Sequence, residues 1–176
     1  SDASSLAFFL KGVDKVIYAS VNEQHSLIPF FKKTPFLVLS HTTPLPINNL
    51  YCSPETLGVD RIASVVAAEY LYPKNNNLVI DAGTCITCDF VDSESNFHGG
   101  SISPGLKMRF HALHNQTSNL PLIECIDYPD LLGTDTLNSI KSGVLNGVLS
   151  EIDGVIFRYK ENKSDMNIIL TGGDAV

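Results

Sequence analysis

Apolar residues recur at three- and four-residue steps along two stretches of this chain and gather into short runs elsewhere. The longer stretch, from Thr136 to Lys160, carries Leu137, Ile140, Val144, Val148, Ile152, Val155 and Tyr159 on one stripe, the spacing of an amphipathic helix. The shorter, Arg61 to Tyr72, sets Ile62, Val65, Val66 and Leu71 on one side with alanines between, and Pro73 stops it. Further helices are predicted over Leu106–Leu113 and, more briefly, Gln24–Lys33, while Leu6–Leu10 followed by Lys11 and Gly12 reads as a helix end. The bulky, β-branched runs Lys15–Val21, Phe36–Leu39, Leu78–Asp81, Thr84–Val91 and Asn167–Leu170 predict strands. Pro35, Pro44, Pro46 and Pro54 mark a loop-rich stretch, and residues 99–105 read as a further loop. Strands alternating with helices indicate an α/β class with a mixed sheet.

Composition narrows the function classes. With 44% hydrophobic and 18% charged residues the chain can bury a core. A formal net charge of -7 and the lack of any Lys/Arg stripe disfavour nucleic acid and anionic membrane as partners. No apolar run approaches the roughly 20 residues that span a bilayer, and no signal-peptide pattern is present, so a cytoplasmic protein is expected. Cys85 and Cys88 form a C-x-x-C, but Cys52 and Cys125 stand alone, and both members of the close pair fall in a predicted strand, where Cys is a small apolar filler. The five histidines have no convincing metal spacing, and Ser103 lacks the frame of a hydrolase nucleophile.

Candidate chemistry lies where strands and helices begin or end. Leu78 to Asp81 delivers a carboxylate at a strand end, followed by Ala82, Gly83 and Thr84. Gly83 would let backbone N–H groups approach a phosphate, Thr84 can donate to one, and Asp81 can hold a cation; an ordinary hairpin turn is the alternative. Ile168 to Leu170 repeats the device, opening into Thr171, Gly172, Gly173 and Asp174, or making a plain strand-to-helix turn with Asp174 as cap. Gly58, Val59, Asp60 and Arg61 stand at a helix start. Asp60 is either an N-cap or a general base beside an anion-orienting Arg61; a free Asp ionises near pH 3.9 and accepts a proton at neutral pH. Gly99, Gly100, Pro104 and Gly105 lead into another helix start where phosphate or substrate can rest, or form a turn only. Gly133 to Thr136 opens the long helix with two hydroxyls, one of them its expected N-cap. Gly143 and Gly147 on that helix suit close packing of a second helix, within this chain or across a dimer, or close packing on the sheet of the same subunit.

Taken in order, Tyr51 with Gly58–Arg61, Asp81–Thr84, Gly99–Gly100 with Pro104–Gly105, Thr134–Thr136 and Thr171–Asp174 resemble the type III pantothenate kinase family of the actin and sugar-kinase superfamily. The matching stretch runs from about Lys15 to Asp174. The resemblance implies two ribonuclease H-like lobes with mixed sheets, an actin-like ATPase fold, residues 1–76 forming the remainder of an N-terminal lobe and residues 77–176 a C-terminal lobe. It implies ATP-dependent phosphorylation of pantothenate, the first step of coenzyme A synthesis, by a cytoplasmic homodimer with substrate near the subunit interface. Asp60 is then the proton acceptor, and Tyr51, Gly58, Val59, Asp60, Arg61 and Thr136 the substrate contacts. Gly83, Thr84, Gly172 and Gly173 contact ATP, Asp81 holds potassium or ammonium, and Mg²⁺ accompanies ATP. The family begins with an Asp-x-Gly-Asn-Thr turn that residues 1–20 do not supply. Either this is a fragment lacking the first strands or terminal segments are absent from the sequence given, and a protein truly without that turn is expected to bind ATP weakly and turn over little. A non-catalytic kinase-like accessory protein and a kinase for another small molecule are the competing readings. Asp60 must also face the cleft shaped by the two glycine-bearing strand ends.

Overall fold

A computed structural model describes residues 10, 12–20, 27–31, 34–124, 127–163 and 165–175. In chain order the strands and α-helices are β1 (Val16–Tyr18), β2 (Phe36–Val38), β3 (Asn48–Asn49), α1 (Val59–Leu71), β4 (Asn76–Ala82), β5 (Cys85–Val91), β6 (Asn96–Pro104), α2 (Leu106–Asn115), α3 (Thr136–Asn162) and β7 (Met166–Thr171). β1 and β2 form a parallel pair, and the other five strands form one mixed sheet ordered β3-β6-β5-β4-β7. β4, β5 and β6 are consecutive antiparallel neighbours, whereas β7 returns parallel to β4 and β3 parallel to β6. The α/β class with mixed sheets follows directly from this order.

Both faces of the sheet are covered because β4 and β5 are apolar on both sides. Val79, Val91 and Phe97 meet Ile62, Val65 and Ala68 of α1, with Leu39, Ile47 and Leu57 closing the same core. Leu78, Ile80, Ala82, Ile86, Cys88 and Phe90 face the opposite way, onto Val148, Ile152, Val155 and Tyr159 of α3. Successive strand residues point to opposite faces, so one strand serves both cores. A third cluster joins α2 to α3 through Phe110, Ile140, Val144 and Leu145. Fully burying each such side chain contributes about 1.5–3 kcal/mol.

Several elements differ from the sequence expectation. The expected loop at 99–105 is mostly strand: Gly99 to Pro104 belong to β6 and pair with β5. Gly100 is admitted because a Cβ there would collide with the Cys88 carbonyl, so the glycines that look like loop punctuation mark a close strand contact. Asp135, not either neighbouring hydroxyl, caps α3, its carboxylate accepting from the Asn138 N–H at 2.8 Å. Among the described residues nothing lies within 4 Å of where a Cβ would stand at Gly143 or Gly147, so they do not serve packing on the sheet of the same chain. Ile28–Phe31 forms a 3₁₀ turn; the rest of the helix expected over Gln24–Lys33, apart from Leu27, lies outside the described residues. Also outside them are residues 6–9 of the expected helix end, His25 and Cys125.

Candidate active site

The site is built on one face of the β4–β5 hairpin. Its register pairs Val79 with Asp89 and Asp81 with Thr87, so alternation sends Asp81 and Asp89 to the side that α1 covers. Asp89 is fully buried in the middle of β5. A carboxylate taken so completely out of water needs a cation, and α1 supplies one. Arg61 lies on the inward stripe with Ile62, Val65 and Ala68 and is 6% exposed. Its Nε donates to both Asp89 oxygens at 3.1 and 3.0 Å, and its Nη2 donates to Oδ1 at 2.6 Å. The hydrogen bonds to Asp89 push the guanidinium pKa above its ordinary value, against the opposing effect of burial, with Tyr51 adding support.

Tyr51 completes this cluster. Its ring stands 5.5 Å from the Arg61 guanidinium carbon and stacks on Phe97 at 6.3 Å with a 14° interplanar angle, a cation–π arrangement. Gly99, at φ +93°, makes room: a Cβ there would lie 2.8 Å from the ring.

Asp60 occupies the first turn of α1, exposed, with its Oδ1 accepting the Arg61 backbone N–H at 2.8 Å. A side chain at Gly58 would collide with that oxygen. Burial raises the pKa of Asp81, and the negative charges of Asp60 and Asp89 raise it further. Asp60 therefore stands on the Asp81 side of the molecule, within electrostatic reach of the β4 end. Among the described residues Asp81 makes no side-chain hydrogen bond or ion pair, and no group of three or more His, Cys, Asp or Glu is placed to hold a metal.

The two glycine-bearing strand ends meet. Asp81 of β4 is in register with Thr171 of β7. Gly172, at φ +102°, turns so tightly there that a Cβ would stand 2.5 Å from Asp81 Oδ1. The Asp174 N–H donates to the Ala82 carbonyl at 2.9 Å, tying one turn to the other. Between them lies a cavity of about 370 Å³ lined by Gly83, Thr84, Lys107, Met108, Gly173 and Asp174. Thr136 sits elsewhere, in an open hollow of about 890 Å³ with Arg109, Leu113, Thr134 and Gly143. None of Tyr51, Gly58, Val59, Asp60 or Arg61 lines that hollow.

Sequence reasoning did not single out Asp89 or Lys107. Asp89 had a usable signal: one carboxylate in an otherwise uncharged strand, with one arginine on the apolar stripe of a nearby helix. Asp is almost never fully buried unless paired. Lys107 carries no such mark, because an exposed lysine in a first helical turn is ordinary.

A mixed-sheet α/β protein with carboxylates converging on two glycine-bearing strand ends has the features of a phosphate-handling enzyme. A family model for type III pantothenate kinase matches residues 6–158. The chain is 46% identical over 162 residues to the type III pantothenate kinase of Flavobacterium johnsoniae, covering 91% of this chain and 66% of that one. It is 43% identical to that of Phocaeicola vulgatus, covering 92% and 66%, and 51% identical to that of Bacteroides fragilis, covering 80% and 58%. A solved structure of a Baf family protein from Campylobacter jejuni, described as a transcriptional activator, is 25% identical with a TM-score of 0.52, covering 96% of this chain and 73% of that one. The chain belongs to the type III pantothenate kinase family, and it spans less than two thirds of the length of these three relatives.

Proposed function

We propose that the protein transfers the γ-phosphoryl group of ATP to a hydroxyl of pantothenate, the first step of coenzyme A synthesis. The observation that carries this reading is the convergence of Asp60, Asp81 and the Gly83 and Gly172–Gly173 turns on one side of the sheet. In phosphoryl transfer the protein mainly positions groups and neutralises charge. The acceptor oxygen forms a bond to the γ-phosphorus, the bond to the bridging oxygen breaks, and ADP leaves. Asp60 takes the acceptor proton; with Oδ1 held by the Arg61 N–H, its other oxygen is left for that task. Thr84 holds the nucleotide phosphates through its hydroxyl, and Gly172 and Gly173 through backbone N–H groups. Gly83, whose own N–H donates to the Cys85 carbonyl at 3.0 Å, leaves room for them to approach, and Lys107 on the cavity wall with Gly83, Thr84 and Gly173 adds a positive charge.

Asp81 fits a monovalent cation, potassium or ammonium: a half-buried carboxylate without a cationic partner among the described residues, in the field of two others, gains from a positive ion. Mg²⁺, entering with ATP, supplies charge neutralisation on the phosphates. Tyr51, Gly58, Val59 and Arg61 form the pantothenate pocket with Asp60. Thr136 joins them in the same reading, contributed at a subunit interface of a homodimer. The open flank of α3 at Gly143 and Gly147, with Leu137 and Leu149 exposed on the same helix, supports a second copy packing there.

The finer fold reading is an actin-like arrangement of two ribonuclease H-like lobes, with residues 1–76 and 77–176 as the lobes. It is supported by three antiparallel strands followed by a helical crossover to a parallel fourth beside the first. A cytoplasmic site of action accords with this substrate; among the described residues no helix is long and apolar enough to cross a membrane.

The test is coupled ADP release with pantothenate, beside glucose, glycerol and acetate as acceptors. Pantothenate alone is expected to support turnover, and Asp60→Asn to lower kcat by about 10²–10⁴. A variant within about threefold of wild type removes Asp60 as the base. Equal turnover of another acceptor favours a different small-molecule kinase.

A further inference from the structure

The pantothenate reading leaves open what fixes Arg61, a flexible side chain asked to meet an anionic substrate group. We propose that Asp89 is a positioning residue that locks the Arg61 guanidinium on its Nε–Nη2 edge and leaves Nη1 to recognise the carboxylate of the acceptor.

Three observations carry this. First, the bonds from Arg61 to Asp89 use Nε and Nη2 only. Nη1 takes no part in those bonds and is not among the buried unpaired atoms of the described residues, and the neighbour that supports the guanidinium beyond Asp89 is Tyr51. An arginine fork used on one edge is a directed donor, not a mobile point charge. Second, the rest of the guanidinium is also held. Tyr51 covers it at 5.5 Å, and Tyr51 is itself wedged between the Phe97 ring and the Gly99 backbone. Third, the lock is coupled to the base, because the backbone N–H of the same Arg61 holds Asp60 Oδ1 at 2.8 Å. A buried ion pair by itself gives little net stability, since apolar replacements of similar volume often do as well. Here the pair sits one residue from the group that takes the proton, where direction matters more than stability.

This inference rests on the proposed pantothenate reaction. The experiment compares two acceptors, pantothenate and its alcohol analogue, in which CH₂OH replaces the carboxylate, with wild type, Asp89→Asn, Asp89→Glu, Arg61→Met and the Arg61→Met/Asp89→Asn double variant. The preference for pantothenate over the alcohol, read as the ratio of KM values, is expected to fall about 10- to 100-fold in Asp89→Asn, with kcat moving much less. Asp89→Glu recovers part of that preference, and Asp89→Asn adds no further loss when Arg61 is already Met. A preference unchanged in Asp89→Asn, or losses that add independently in the double variant, overturns the proposal. Should Asp89→Asn fail to fold, Asp89→Glu keeps the charge but displaces the guanidinium, and an unchanged preference there overturns it equally. Wild type inactive on both acceptors removes the reaction itself, a result distinct from an active wild type whose preference does not depend on Asp89.

Discussion

Three aspartates within one hairpin and one helix turn show how residue identity and surroundings divide chemical roles. Asp89 is buried and paired, Asp81 is half-buried without a side-chain partner among the described residues, and Asp60 is exposed at a helix start. Asp92, just past β5, shows the opposite behaviour to Asp81. Burial would raise its pKa, but hydrogen bonds from His98 and from Asn96 and Glu94 outweigh that and lower it from 3.8 to about 2. The folded state thus binds this proton more weakly than the unfolded chain. Its stabilising contribution is full above the unfolded value near 3.8 and is lost as pH falls through about 2. Allowing for solvent screening, about 1 kcal/mol is at stake. Urea unfolding at pH 6 and at pH 2.5 is expected to show a smaller stability loss on acidification in Asp92→Asn than in wild type; equal losses would refute it.

At the scale of elements, α1 has two jobs. Its inward stripe of Arg61, Ile62, Val65 and Ala68 seals one face of the sheet, while its first turn presents Asp60. The helix start also suits a carboxylate, because the aligned peptide dipoles favour negative charge there. Packing and chemistry are therefore coupled: loosening the stripe moves the base. Ile62→Ala removes a side chain that is 1% exposed and is expected to cost about 2–5 kcal/mol. Chemical denaturation would measure this, and a loss below about 0.5 kcal/mol would mean that α1 does not anchor the sheet as described.

Across the whole molecule, the concentration of negative charge beside the strand ends calls for compensation. The formal net charge of -7 gives no background relief, and Asp81 feels both Asp60 and Asp89. A cation bound at Asp81 stabilises the folded state by mass action. Potassium chloride is expected to raise Tm above that in an equal concentration of tetramethylammonium chloride, and Asp81→Asn to abolish the difference. An equal potassium-specific rise in the variant would place the cation elsewhere.

What the sequence by itself determined follows from local rules. The 3.6-residue apolar stripe fixes α1 and α3, the runs 78–81 and 84–91 fix the central hairpin, and the ordered motifs point to the family. Local reading misjudged β6, because Gly99 and Gly100 weaken strand propensity and only the crowding of Tyr51 and the Cys88 carbonyl explains them. It also missed the partnership of Arg61 and Asp89, which are separated by 28 residues. No periodicity encodes such a pair; it arises when the α1 stripe is laid on the face to which strand alternation sends Asp89. The meeting of the Gly83 and Gly172 turns is likewise tertiary, since it depends on the parallel register of β4 and β7. Chain chemistry supplies the groups, and long-range pairing decides which of them share a field.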